Sequence, residues 1–303
     1  MCGPLRASTR RHTRRRGTFR RVSLGVSVVE VYAGRGRAVR LYIEIARRAF
    51  RQQLTYRAAA ISGLLTNAGW GCFKAFVFVA LYRAREGAEI VGYDLRDALT
   101  FVWFAQAMIA PVAIWGWFDI AQTITSGAVV SDLSRPYDYY AFWFARDAGR
   151  AAAQILLRGV PSLVIGAAFF DIRFPTDVAQ IALFAVALAL ALVTSFALRF
   201  IVNLWAFWLL DWRGIAGLWN LLITLLSGFE LPLAFFPEWA RPVVDALPFR
   251  GIIQTPADLF LGHAAGVDAL ALIGRQAMWV AALVVGGYLL VGAATRKVVV
   301  QGG

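Results

Sequence analysis

Six apolar stretches limit what this chain can become. They cover residues 58–82, 98–118, 151–170, 178–198, 214–231 and 275–295. Each approaches the roughly 20 residues that a helix needs to cross a hydrocarbon core about 30 Å thick. Hydrocarbon offers no hydrogen-bond partners, so a crossing backbone must satisfy itself, and these runs are too long for barrel strands. The run "IALFAVALALALVTSFAL" is the clearest of them. Composition agrees: 59% of the 303 residues are hydrophobic and only 16% charged, against about 45–50% and 25% in soluble domains. The expected fold is an all-α polytopic membrane protein with six transmembrane helices, preceded by an N-terminal amphipathic helix in the membrane interface.

The charge is placed unevenly. Residues 1–57 carry 15 Arg and 2 Glu, so the whole formal excess of +13 precedes the first apolar run. Residues 1–39, with "RRHTRRRGTFRR", form a like-charge block expected to repel itself and stay disordered. Such a block suits nucleic acid or anionic headgroups; ahead of a membrane-embedded body it reads as a cytoplasmic tail facing lipid. Within "RLYIEIARRAFRQQLTYR" (40–57), Tyr42, Ile45, Ala46 and Ala49 share one helical face. Glu44, Arg47, Arg48 and Arg51 share the opposite one, the pattern of an interfacial helix.

Lys and Arg placement sets the orientation. With the N-terminus inside, the inner segments 1–57, 119–150, 199–213 and 296–303 carry 22 Lys/Arg and the outer loops carry 7. Both termini are therefore expected in the cytoplasm, with the chain multi-pass in the membrane. Trp70, Trp103, Trp205, Trp212 and Trp239 are available as interface anchors or for core packing.

Two connections exceed simple loops. The inner one, 119–150, has helical patterning broken at Gly127 and Pro136. Connections of that length in compact proteins usually carry function. The outer one contains Pro232, Pro237, Pro242, Pro248 and Pro256, which forbid one long helix and suggest short helices dipping into the outer leaflet.

Catalytic motifs do not emerge. Neither lysine, Lys74 or Lys297, follows glycine, so no Walker A loop can be built. Two cysteines and two isolated histidines offer no disulfide framework or metal site. Lys74 in the first stretch and Arg158 in the third are charges inside apolar runs; they line a substrate pathway, or else snorkel to an interface or pair structurally. No carboxylate partner for either is evident in a span.

Several segments together resemble the membrane subunit of ABC-2-type transporters, in a bacterial exporter subfamily of mostly unassigned substrate. They are "RRAFRQQLTYRAAAISGLLTN", "SGAVVSDLSRPYDYYAFWFARDAGR", "FIVNLWAFWLLDWRGI", "LSGFELPLAFFPEWARPVVDALPF" and "RKVVVQGG", and the resemblance runs from Leu41 to Gly303. It implies one six-span permease domain over 40–303, multi-pass in a bacterial cytoplasmic membrane with cytoplasmic termini. It implies a separate ABC ATPase subunit that holds ATP and Mg, so that this chain is no enzyme and has no cofactor of its own. It implies a second permease, identical or homologous, and no nucleic-acid partner. It also implies that the inner loop docks the ATPase through Ser131, Asp132, Leu133, Arg135 and Pro136. Asp132 and Arg135, at i and i+3, also fit a solvated local pair. The rival classes are an ion-coupled carrier, an integral membrane enzyme and a non-transporting scaffold.

Overall fold

The computed structural model describes residues 35–209 and 211–301. The Arg-rich segment up to residue 34, expected to be disordered, lies outside them. The fold is all-helical, with no strand among the described residues.

Helix α1 spans Arg35–Thr55 and begins five residues before the expected start at 40. A break at Tyr56 leads into α2, Arg57–Ala84. Helix α3, Leu95–Val112, is held at its start by a reciprocal capping box between Asp94 and Asp97. Two short helices follow, α4 (Asp119–Thr125) and α5 (Val129–Leu133). Then α6 (Tyr139–Gln154) runs through a π-helical turn (Ile155–Gly159) into α7 (Val160–Phe169). Helix α8 is Val178–Leu204 and α9 is Arg213–Leu226. The proline-rich stretch yields α10 (Arg241–Ala246) and α11 (Gln254–Leu261), and α12 runs from Gly266 to Gln301.

Among the described residues, four helical runs are long and apolar enough to cross a membrane: Arg57–Ala84, Tyr139–Phe169, Val178–Phe207 and Gly266–Lys297. They match the first, third, fourth and sixth stretches; all are longer than expected, the first by only three residues and the others by nine or more. The third starts at Tyr139, so residues 139–150 are not loop; Asp138 caps this helix by accepting from the Ala141 amide at 2.6 Å. The fourth runs six residues past 198 as α-helix, and the sixth starts nine residues before 275. The other two stretches are shorter. Pro111 and a left-handed Ala113 end α3, and α9 has only 14 residues.

Helix α3 is the axis of the bundle. It is buried along its whole length from Asp97 to Val112. Phe101, Phe104, Met108 and Ile109 pack with Trp219, Ile223, Ile252, Ile253 and Phe260 into one core. The long helices around it leave apolar side chains outside, among them Phe73, Phe76, Val164, Val285 and Leu289. A soluble bundle would turn these faces inward; this chain needs an apolar medium around it. Trp103 is fully buried in a second cluster, so it is core and not an anchor, whereas Trp70, Trp205 and Trp239 are exposed.

Helix α1 lies along α6. The contact is close because Gly149 has no side chain: a Cβ there would sit 2.0 Å from the Ala46 carbonyl oxygen. Gln154 donates to Gln53 Oε1 at 2.8 Å, and the Asp138 amide donates to the Tyr42 hydroxyl at 3.2 Å. The face expected from spacing is the face that packs, with Ala49 buried.

Candidate functional site

The short helices α4 and α5 sit at the end of the bundle where α3 stops. Ile120 and Val129 enter a core with Tyr139, Tyr140, Trp143, Phe196, Phe200 and Leu204. The five docking candidates separate here. Leu133 is half-buried against Tyr139, Leu204, Phe207 and Val291, which anchors α5 to the bundle. Ser131, Arg135 and Pro136 are exposed. Asp132 Oδ1 stands 3.8 Å from Arg135, whose side chain is 53% exposed. Arg135 also donates to the Tyr137 hydroxyl at 3.3 Å. So the local pair exists, but it is long and open to solvent on the arginine side, while the Asp132 side chain is only 16% exposed; such a pair contributes little.

Beneath this surface lies a charged network that the loop assignment had hidden. Asp147 on α6 faces Arg199 on α8 at 2.8 Å, with side chains 4% and 1% exposed. Arg150 closes the other side, its Nε 2.8 Å from Asp147 Oδ1. Its two remaining nitrogens donate to the Ala110 and Pro111 carbonyls at 2.7 and 2.8 Å. Those are last-turn carbonyls of α3, beyond the reach of regular helical bonding, although Ala110 O also accepts from the Ala113 amide at 3.2 Å. Ser195 donates to Val112 O, and Asn203 accepts from the Ala121 amide at 2.9 Å and donates to Trp117 O at 2.9 Å. The network therefore ties the end of α3, the start of α4, and α6 and α8 into one unit. Arg150 and Arg199, two of the 22 basic residues placed inside, face this network rather than headgroups.

Lys74 has a carboxylate partner after all. Its Nζ lies 2.8 Å from Glu230, which follows α9, and donates to Phe229 O at 3.4 Å. It also stands 4.3 Å from the Phe229 ring centroid. Glu230 lay at the end of the fifth stretch, but no sequence periodicity relates it to a residue 156 positions earlier. Arg158 neither snorkels to an end nor meets an acid. It crosses to α2, where it donates to Gly63 O at 2.9 Å and Asn67 Oδ1 at 2.8 Å. Lys74 and Arg158 are thus not brought together.

The opposite end of α3 carries a second polar cluster. Arg173 pairs with Asp94 and Asp97, and His263 Nε2 lies 3.2 Å from Asp97. Arg250 pairs with Asp245, and with Asp258 at 2.8 Å. Gln254 donates to Asp258 Oδ1 at 2.6 Å and accepts from the Leu233 amide at 2.9 Å. Burial pushes the Asp258 carboxyl up, against the pull of Arg250. Burial beside Asp258 likewise raises the Tyr93 phenol. A cavity of ≈ 300 Å³ opens among these groups. The short helices expected from the prolines are present, but α11 is buried from Gln254 to Leu261 against the bundle. It is a plug in the protein rather than a helix dipped into lipid.

The family model for ABC-2 family transporter proteins matches residues 69–302. The matched range starts inside α2, so α1, in the expected resemblance from Leu41, precedes it. No curated protein and no solved structure matches the chain.

Proposed function

The chain belongs to the ABC-2 transporter family, and on that premise we propose that it is the permease subunit of an ATP-driven exporter, docked by a separate ATPase. ATP and Mg belong to that ATPase, and this chain supplies pathway and linkage. A second permease, a copy or a homologue, completes the pathway. The chain lies in a bacterial cytoplasmic membrane with both termini inside.

All six apolar stretches cross. Helix α3 reaches about 27 Å and α9 about 21 Å at 1.5 Å per residue, and the turn after α9 extends the latter. Helix α1 lies in the inner interface, its arginines toward headgroups.

The buried Asp147, Arg150 and Arg199 network carries this reading. The rim of α5 would receive the ATPase at the exposed Ser131, Arg135 and Pro136 and at the partly covered Asp132, with Leu133 seating α5. A push there meets α4 and the end of α3, which the network fixes to α6 and α8. A packed unit shifts between discrete arrangements rather than bending continuously, so a small displacement at α5 becomes a change in span packing. Cargo must bind the two arrangements differently, or nothing is pumped.

Single cysteines introduced in a Cys-less background test the orientation. Positions 87, 131 and 243 are all exposed. Those at Gly87 and Val243 should react with an impermeant maleimide on sealed cells, and that at Ser131 only after lysis. Labelling of position 131 on intact cells would withdraw the inner docking surface.

A further inference from the structure

Arg158 lies inside an apolar run, and its recorded bonds go to neutral acceptors, not to a carboxylate. It sits on the π-helical turn between α6 and α7, and such turns recur at functional sites. Gly63 makes room for it: a Cβ there would lie 2.7 Å from Arg158 Cζ. Asn67, one turn along α2, accepts from Arg158 and donates to Gln106 O at 3.2 Å. Ser162 is one turn along from Arg158 on the same face.

This polar seam is not satisfied from within. Among the described residues, Arg158 Nε, Ser162 Oγ and both amide atoms of Gln106 lack hydrogen-bond partners. Gln106 is 1% and Ser162 0% exposed. Buried polar groups are nearly always partnered, and an intramembrane cation is held by a counter-charge or a polar cavity. Arg158 itself is only half-buried. The neighbouring stripe of α2, Ser62, Thr66 and Trp70, is exposed. Beyond it an apolar run continues through Phe73, Phe76 and Val77, also exposed. A cation therefore stands at the foot of an open apolar track.

We infer that the seam between α2, α3 and α7 binds the acid group of an anionic amphiphile at Arg158, with its chain along Trp70, Phe73 and Phe76. Arg158 supplies the charge, and Ser162 and Gln106 supply hydrogen bonds that the protein leaves unmade. The assignment names a substrate or lipid class for the permease reading and takes its meaning from it. Its test uses the purified full chain without any ATPase, so binding can fail while docking stands, and the reverse.

Oleate and methyl oleate have one chain and differ in charge. Titrated into the chain in dodecyl maltoside and followed by native mass spectrometry, oleate should bind saturably, one per chain, at least tenfold tighter than its ester. Arg158→Gln should bring oleate to the level of the ester, and Arg83→Gln should leave it unchanged. If Arg158→Gln does not elute as a monodisperse folded species, Gly63→Ala, which crowds the guanidinium, should weaken oleate at least threefold. Competition by phosphatidylglycerol but not phosphatidylcholine would identify a bilayer lipid as the source. Its absence would identify a free single-chain amphiphile, and either outcome supports an acid-group site. Equal binding of acid and ester, an acid preference surviving in folded Arg158→Gln, or full displacement of oleate by sodium sulfate at constant ionic strength would overturn the inference.

Discussion

Asp147 and Arg199 meet at 2.8 Å across two helices and 52 residues of sequence, in a place that neither side chain leaves for solvent. A buried pair of this kind adds little against well-packed apolar residues, but removing one partner strands the other, at about 3–5 kcal/mol. Asp147→Ala should be the worst single change, because it strands Arg199 and Arg150 together. Arg199→Lys should rescue little, since an ammonium cannot reproduce two guanidinium bonds to one carboxylate. Thermal unfolding in detergent checks both. An Asp147→Ala variant as stable as the parent would remove the network from the account.

Gly149 tests the docking of α1. Gly149→Leu drives a side chain into the Ala46 backbone, which cannot swing aside as a side-chain tip would. Overpacking costs about 1–3 kcal/mol, and separating α1 from α6 relieves it. Cysteines at Gln53 and Gln154, whose side chains are 2.8 Å apart, should cross-link in the parent background and lose most of that cross-link in Gly149→Leu. An undiminished cross-link would mean that the contact is looser than described.

The sequence made some of this legible and hid the rest for definite reasons. Long apolar runs and prolines act locally, so four long apolar helices and the short helices of 232–262 could be read directly. The face of α1 followed from its period. Charges near the ends of runs were misread, because helices α6 and α8 continue beyond their most apolar parts. Asp147, Arg150 and Arg199 therefore passed for loop charges. One signal was available: Arg199 interrupts the apolar sequence "SFALRFIVNL", where a cation needs a partner. Its partner, like Glu230 for Lys74 and Asn67 for Arg158, lies far along the chain, where only the fold brings it near.

The cluster at the other end of α3 predicts a pH dependence. The Asp258 carboxyl is raised above its ordinary 3.8 by burial. The folded state then holds more protons than the unfolded one between that value and the raised one. Stability therefore falls as pH rises through this window. Asp258→Asn should flatten that decline in melting temperature as the pH rises above the ordinary carboxyl value. A parallel decline in the variant would assign the effect elsewhere.

Lys74 and Glu230 join α2 to the turn after α9. If outward opening separates these elements, a reducible bis-methanethiosulfonate bridge between cysteines at 74 and 230 should arrest transport, and a reductant should restore it. Transport by the fully cross-linked protein would show that the two elements move together.

The docking surface is tested most directly by exchanging Asp132 and Arg135. The swap preserves their local pair, a contact of about 0.2–0.5 kcal/mol, while facing an ATPase with reversed charges, which can cost several kcal/mol. The measurement is vanadate-sensitive ATPase activity co-purifying with the tagged chain from native membranes. The account predicts parental abundance of the swapped chain in the membrane and loss of most of that activity. Full co-purifying activity with the swapped chain would contradict docking at α5 and, with it, the route from ATPase to spans.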